Sequence, residues 1–183
     1  MIGKKSPITS LLKEKLLFVG LGNANPSYTN SYHNVGQLAI DYVAKHIGAE
    51  ETSNGKRREF IFSKFKNGWI FIKPTTAMND SGYPVNAACR VFGIKPDKLV
   101  VVHDDSDIAL GKYKVSFGSR AAGHKGVQSI IDALGTAEFF RIRIGIRPDT
   151  EKRKALSFVL KKITSAHAKT LEAVFATLCE ELV

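Results

Sequence analysis

Two cysteines in 183 residues, Cys89 and Cys179, are too few for a disulfide framework and form no CxxC metal or redox motif. Each falls in an apolar helical pattern, so both are expected as buried thiols in a reducing compartment. Long apolar runs are also missing: none approaches the ~18–20 residues needed to span a bilayer. Residues 1–15 lack the apolar segment and small-residue cleavage site of a secretory leader. Lys4, Lys5 and Lys13 leave an organellar address open, but the segment is short and contains Glu14. A cytoplasmic location with no membrane partner is the expectation. Acidic residues are scarce, 17 against 27 Lys and Arg, and the formal charge of +10 favours a polyanion such as nucleic acid. A basic protein without such a partner is the less favoured alternative on charge alone, because net charge speaks to association and not to fold.

The common nucleophile and metal signatures are absent too. There is no G-x-S-x-G, H-E-x-x-H or P-loop. Gly20-Leu21-Gly22 opens like a dinucleotide fingerprint, but Asn23, Ala24 and Asn25 follow where the third glycine belongs. The next helical pattern begins only near Val35, too late for its N-terminus to meet a pyrophosphate. A tight turn after a strand is the plainer reading.

What is present is the pattern of one α/β domain, with 44% hydrophobic residues in a chain long enough for one sizeable core. Residues 16–21 form a continuous apolar run closed by Gly22-Asn23, as in a strand buried on both faces. Val35, Leu38, Ala39, Tyr42, Val43 and Ile47 recur at helical spacing, with Gly48 placed to end the helix. Residues 51–58 are polar and basic around Asn54-Gly55 and read as a mobile loop whose charges are solvated. Residues 60–65 and 69–73 read as strands joined by Lys66-Asn67-Gly68, a hairpin. A helix is predicted at 83–92, a buried strand at 99–102, and at 112–117 a strand with one wet face. A helix at 126–134, a strand at 140–146 alternating with Arg141 and Arg143, and a closing amphipathic helix at 165–182 complete the chain. The sum is a single-domain α/β fold, a twisted mixed β-sheet flanked by α-helices: residues 1–15 as an N-terminal extension and 16–183 as the folded domain.

Open α/β sheets hold their ligands in loops beyond the carboxyl ends of the strands, where Asn23, Tyr28, His33, Asn34, Asn79 and Asp104 fall. Asparagine amides can donate to a carbonyl or an oxyanion, and an imidazole with a pKa near ~6.5 suits proton transfer at neutral pH. A carboxylate such as Asp104 can select its tautomer. Asn and His also cap helices and satisfy turns, so residue types alone leave either reading open. His103, Asp104, Asp105 and Asp107 have the composition of a metal site. Strand alternation argues against it, because it sends Asp104 to the face opposite His103 and Asp105. A water nucleophile with a histidine base remains.

Four ordered blocks carry a resemblance. They are Gly20-Leu21-Gly22-Asn23 with Tyr28 and His33-Asn34-Val35-Gly36; Lys73-Pro74-Thr75-Thr76-Ala77-Met78-Asn79-Asp80-Ser81-Gly82; Val102-His103-Asp104-Asp105 with Asp107; and Gly123-His124 with Gly126, Leu134-Gly135-Thr136 and Arg141 to Ile146. Together they resemble the bacterial-type peptidyl-tRNA hydrolase family. The resemblance implies hydrolysis of the ester between a peptide and the 3′-terminal ribose of tRNA, by a water and without metal or cofactor. By position, His33 is then the general base, Asp104 its orienting carboxylate, Asn23 a ligand near the ester and Asn79 the oxyanion stabiliser. Tyr28 and Met78 would line the peptide cleft, though each also has a reading as core packing. His124, Lys125, Lys114 and Arg143 would bind the tRNA side. The resemblance further implies a role in translation and ribosome rescue, with peptidyl-tRNA as partner, no obligatory protein partner and a monomeric state.

The departures from the family pattern are specific. Asn23-Ala24-Asn25-Pro26 stands where the family reads Asn-Pro-Gly, which predicts a different turn. Lys125 replaces the asparagine of Gly-His-Asn-Gly and supplies donors but no acceptor. Ser116 occupies a strand position that is basic in the family, with Lys114 and Lys112 on the same face. Lys125 is the best argument for the alternative, a non-catalytic RNA-binding or splicing factor on the same fold. A phosphate- or metal-dependent hydrolase centred on residues 103–107 leaves the other blocks unexplained.

Overall fold

The computed structural model describes residues 12–56, 59–148 and 158–182. Its centre is the apolar run of the first prediction, strand β1 (Leu17–Gly20), every residue of which is buried. It lies between two parallel neighbours, β4 (Ile70–Pro74) and β5 (Leu99–Ala109). The hairpin partner β3 (Phe60–Lys64) runs antiparallel to β4, and Gly68 takes a positive φ of 90° in the turn between them. On the other side β5 pairs in parallel with β7 (Phe140–Arg147), and β6 (Tyr113–Phe117) closes that edge antiparallel to β7. With β2 (Glu50–Lys56) beyond β3, the sheet order is β2-β3-β4-β1-β5-β7-β6.

Alternation along the central strands divides the core into two. Phe18, Phe71, Val100, Val102, Ile142 and Ile144 point to one face, which helices α1 (Val35–His46) and α4 (Ser165–Leu182) cover. Leu17, Val19, Ile70, Ile72, Leu99 and Val101 point to the other, under α2 (Gly82–Phe92) and α3 (Lys125–Leu134). Cys89 on α2 and Cys179 on α4 therefore lie on opposite faces, and both thiols are free. Burial pushes the Cys89 thiol up to about 11. No helix among the described residues is long and apolar enough to cross a membrane.

Three predictions of local structure change. The stretch at 51–58, expected as a mobile loop, is strand from Glu50 to Lys56, paired with β3 at Glu50–Lys64, Glu51–Ser63 and Lys56–Ile61 with an irregularity between; 57–58 lie outside the described residues. An edge strand needs only one row of backbone partners and no apolar face, so its side-chain pattern gave no period to read. Strand β5, expected to stop at Val102, runs on to Ala109, because β7 supplies partners through Asp104–Ile144 and Asp105–Gly145. Asp104 is therefore a strand residue. The dry face expected of β6, opposite Lys114 and Ser116, fails at its end, where Phe117 is exposed and packs on Phe140 with ring centroids 4.7 Å apart.

The expected boundary at residue 15 has contacts across it. The Trp69 indole N–H donates to Glu14 O at 3.1 Å, and Lys15 Nζ donates to Phe92 O at 2.7 Å.

Candidate active site

Because β1, β4 and β5 are parallel, their carboxyl ends share one edge of the sheet, and the chain leaves that edge through the loops bearing the candidate residues. After β1, Asn23 Oδ1 accepts from Asn25 N–H at 3.1 Å, and the Asn25 side chain caps a 3-10 turn, Pro26–Tyr28, by accepting from Ser27 N–H at 3.0 Å. Asn23-Ala24-Asn25-Pro26 thus forms a turn built from side-chain oxygens. Asn34 clamps the loop, its Oδ1 accepting from Asn23 N–H at 2.8 Å and its Nδ2 donating to Asn23 O at 3.1 Å. Asn23 Nδ2 has no partner among the described residues.

A second 3-10 turn, Tyr32–Asn34, carries His33 directly into α1. Its close seat over the sheet depends on Gly36, where a Cβ would stand 2.2 Å from Val102 O and 2.7 Å from the Leu21 backbone. That approach sets the His33 ring above Asp104 in the middle of β5. His33 Nδ1 lies 2.9 Å from Asp104 Oδ1 and 3.0 Å from Oδ2, so one N–H faces both oxygens. A carboxylate can only accept from it, which leaves His33 Nε2 as the nitrogen with a free lone pair. The His33 side chain is 15% exposed and that of Asp104 only 3%, so the acid lies beneath the imidazole. Burial alone would raise the Asp104 carboxyl; His124, and after it His33, outweigh burial and hold it well below the usual carboxylate range.

His124 is the third member of this group. As the N-cap of α3 it accepts Val127 N–H at Nδ1, 3.3 Å, while its Nε2 lies 3.1 Å from Asp104 Oδ1. Both of its ring nitrogens thus have partners within the protein. His103 packs edge-on against His124, with ring centroids 4.6 Å apart, and its Nδ1 donates to Asp104 O at 2.7 Å. Burial first, then the neighbouring His124, keeps His103 well below its ordinary pKa and so uncharged.

The metal cluster weighed at 103–107 does not assemble. His103 bonds a backbone carbonyl, Asp105 accepts from Arg143 Nε at 2.7 Å, and the Asp105 Oδ1 also accepts from Asp107 N–H. The donors that do converge are His33, Asp104 and His124, whose ligand atoms lie within 4.8 Å of one another.

Asn79 is exposed in a 3-10 turn, Met78–Asp80, where its Nδ2 donates to Asp80 Oδ1 at 3.2 Å. The Asn23 loop reaches this turn through Ala24 N–H to Thr76 O at 3.2 Å. Met78 is 5% exposed and belongs to the core with Leu21 and Val127. A Cβ on Gly126 would stand 2.5 Å from its sulfur, so that glycine lets α3 approach the Asn79 turn. Tyr28 is half-buried in its own loop, and Lys125 is exposed at the first turn of α3.

On the β6–β7 edge, Lys114 pairs in register with Arg143, which in turn is level with His103 on β5. Ser116 pairs with Arg141, a buried arginine whose pKa is lowered by burial and then by Arg143. One face of this edge therefore runs from basic side chains toward the histidine group.

Sequence reasoning missed the segment that holds His33 from above. Val159 O accepts His33 N–H at 2.8 Å, Lys161 O accepts Tyr32 N–H at 3.2 Å, and Asn30 O accepts Ile163 N–H at 2.8 Å. The Tyr32 ring packs on Phe158 with centroids 4.1 Å apart, and its hydroxyl meets His167 Nδ1. No local pattern announces these contacts, because they join positions more than a hundred residues apart.

Comparison with known proteins identifies the family of the chain. The peptidyl-tRNA hydrolase family model matches residues 17–183. A peptidyl-tRNA hydrolase of Kosmotoga olearia is 40% identical over 157 residues, covering 85% of this chain and 83% of its own. One from Mycobacterium sp. strain KMS is 34% identical over 172 residues, covering 93% and 88%. The crystal structure of peptidyl-tRNA hydrolase from Acinetobacter baumannii superposes with a TM-score of 0.81 at 26% identity, over 91% of this chain and 86% of that one. The chain belongs to the peptidyl-tRNA hydrolase family.

Proposed function

We propose that the domain of residues 16–183 cleaves the ester of peptidyl-tRNA with His33 as general base, releasing peptide and reusable tRNA. The observation that carries this is the pairing of His33 Nδ1 with both Asp104 oxygens, which favours the tautomer with its proton on Nδ1 and leaves Nε2 as the nitrogen able to accept one. Nε2 takes a proton from a water as that water attacks the ester carbonyl. Negative charge then develops on the carbonyl oxygen, and an amide donor stabilises it most where it is held in place beforehand. Asn79 Nδ2 is that donor once it leaves Asp80, and Asn23 Nδ2 holds the substrate beside the ester. Collapse of the tetrahedral intermediate breaks the bond to the 3′-oxygen of the ribose, and the imidazolium returns its proton to that oxygen. No metal or cofactor enters the scheme.

Tyr28 borders the peptide side, with Met78 supporting it from the core. Lys125 at the start of α3, and Lys114 with Arg143 on the β6–β7 edge, meet the phosphates of the tRNA. Arg143 gives only Nε to Asp105, so its remaining guanidinium donors stay available. The protein acts as a cytoplasmic monomer in translation and ribosome rescue, freeing tRNA from its peptide, without a protein partner or a membrane.

The decisive experiment is single-turnover hydrolysis of N-acetyl-aminoacyl-tRNA. Cleavage is expected in wild type and lost in His33→Ala. Tight tRNA binding without cleavage in wild type would instead identify a non-catalytic RNA-binding protein.

A further inference from the structure

An imidazole that accepts a hydrogen bond at one nitrogen carries its proton on the other. At His124 the acceptor is Nδ1, engaged by Val127 N–H at the start of α3, so the remaining N–H is on Nε2 and points at Asp104 Oδ1, 3.1 Å away. The helix thereby dictates which proton the catalytic carboxylate sees. The ring has little freedom to turn elsewhere: its side chain is 9% exposed, His103 packs edge-on against it, and His33 lies on another side with centroids 5.1 Å apart. Asp104 Oδ1 is consequently shared by two imidazoles, one on each side of the sheet end.

We propose that His124 is a positioning residue that acts through Asp104 to set the basicity of His33, and that it is not a ligand of the substrate. The inference rests on the role of His33 and Asp104 proposed above. A donor on Oδ1 withdraws charge from the carboxylate and stops it rotating away from His33 Nδ1. With that donor gone, Asp104 is a stronger acceptor toward the His33 N–H and favours the imidazolium, which cannot act as a base. The acid limb of kcat/KM, where the base becomes protonated, then moves to higher pH.

Two conservative variants separate this role from helix capping. In His124→Asn the Oδ1 stands as many bonds from Cα as Nδ1 did, so the cap survives and the bond to Asp104 is lost. In His124→Gln the Nε2 amide stands as many bonds from Cα as the imidazole Nε2, so the donor survives and the cap is lost. The pH profile of kcat/KM for N-acetyl-aminoacyl-tRNA hydrolysis, kcat and KM at neutral pH, and thermal unfolding are measured on the full chain. His124→Asn is expected to unfold like wild type, lose roughly tenfold in kcat with KM unchanged, and shift its acid limb up by about half to one pH unit. His124→Gln is expected to unfold at lower temperature but keep the wild-type acid limb. An unaltered limb and kcat in His124→Asn would leave His124 as a helix cap only. An equal limb shift in both variants, or a rise in KM alone in either, would also overturn the proposal. Full turnover in His33→Ala would remove the base reading itself; an inactive His33→Ala beside an unperturbed His124→Asn would remove the His124 proposal alone.

Discussion

His33 and Asp104 stand 71 residues apart in sequence and meet through one nitrogen facing two oxygens, Nδ1 to Oδ1 at 2.9 Å and to Oδ2 at 3.0 Å. The acid lies below the imidazole and the other nitrogen has no hydrogen-bond partner among the described residues, which is the arrangement a general base requires. His33→Ala should lower kcat by ~10² to 10⁴ with little change in tRNA affinity, since proton transfer is made in the transition state and binding is not. Asp104→Asn should be comparably slow, because an amide can turn its NH₂ toward Nδ1 and select the wrong tautomer. Steady-state kinetics checks both, and wild-type rates in either variant would end the mechanism.

His103 makes acid stability predictable. Its pKa is lowered in the folded state, so below ~6.5 the unfolded chain binds a proton that the native site refuses. Stability from this group is full above that pH and declines as pH falls toward the folded-state value, by up to ~1.4 kcal/mol per pH unit. His103→Gln should therefore flatten the fall of Tm between pH 6.5 and 5 relative to wild type. Parallel Tm curves for the two proteins would contradict the neutral, buried assignment.

Added Zn²⁺ should inhibit. His33, Asp104 and His124 offer three donors within 4.8 Å, and Zn²⁺ takes nitrogen and oxygen at ~2.0–2.2 Å in a tetrahedron. Binding displaces the imidazole protons, so inhibition should deepen as pH rises. Mg²⁺, which prefers oxygen and octahedral geometry, should not inhibit. Titration of turnover with Zn²⁺ at fixed Mg²⁺ tests this, and stimulation by Zn²⁺ would point to a metal-dependent enzyme.

The basic edge predicts salt dependence. Lys114 and Arg143 are register partners on one face, and each phosphate they neutralise releases counterions. The Kd for tRNA should rise steeply with salt, and Lys114→Ala should flatten the log–log slope by about one. Binding that ignores ionic strength would show that the charge excess serves no RNA.

Lys125 places a cation at the N-terminus of α3, where the helix dipole disfavours it by ~0.3–1 kcal/mol. Lys125→Asn should thus stabilise the fold slightly while raising KM and preserving kcat, because uniform binding affects KM alone. Restoration of activity to an inactive wild type would instead mark the lysine as an inactivating change. Tm and Michaelis kinetics distinguish these outcomes.

The amino-acid sequence by itself determined the elements with their own signal. The buried β1, the β3–β4 hairpin at Lys66-Asn67-Gly68 and helix α4 were legible because hydrophobic period and turn chemistry are local. The four motif blocks likewise marked His33, Asp104, Asn23 and Asn79. Tertiary structure alone decided the rest. Strand β2 and the extension of β5 past Val102 exist because β3 and β7 offer partners, and backbone pairing leaves no trace in side-chain pattern. The group of residues 103–107 looked alike in composition, yet register and the approach of α1 and α3 sent Asp104 to two histidines and Asp105 to Arg143. Val159 supports His33 through a main-chain carbonyl, a contact that no residue type specifies. Spacing along the chain reveals which side chains share a strand or helix face; which faces meet depends on packing across the whole fold.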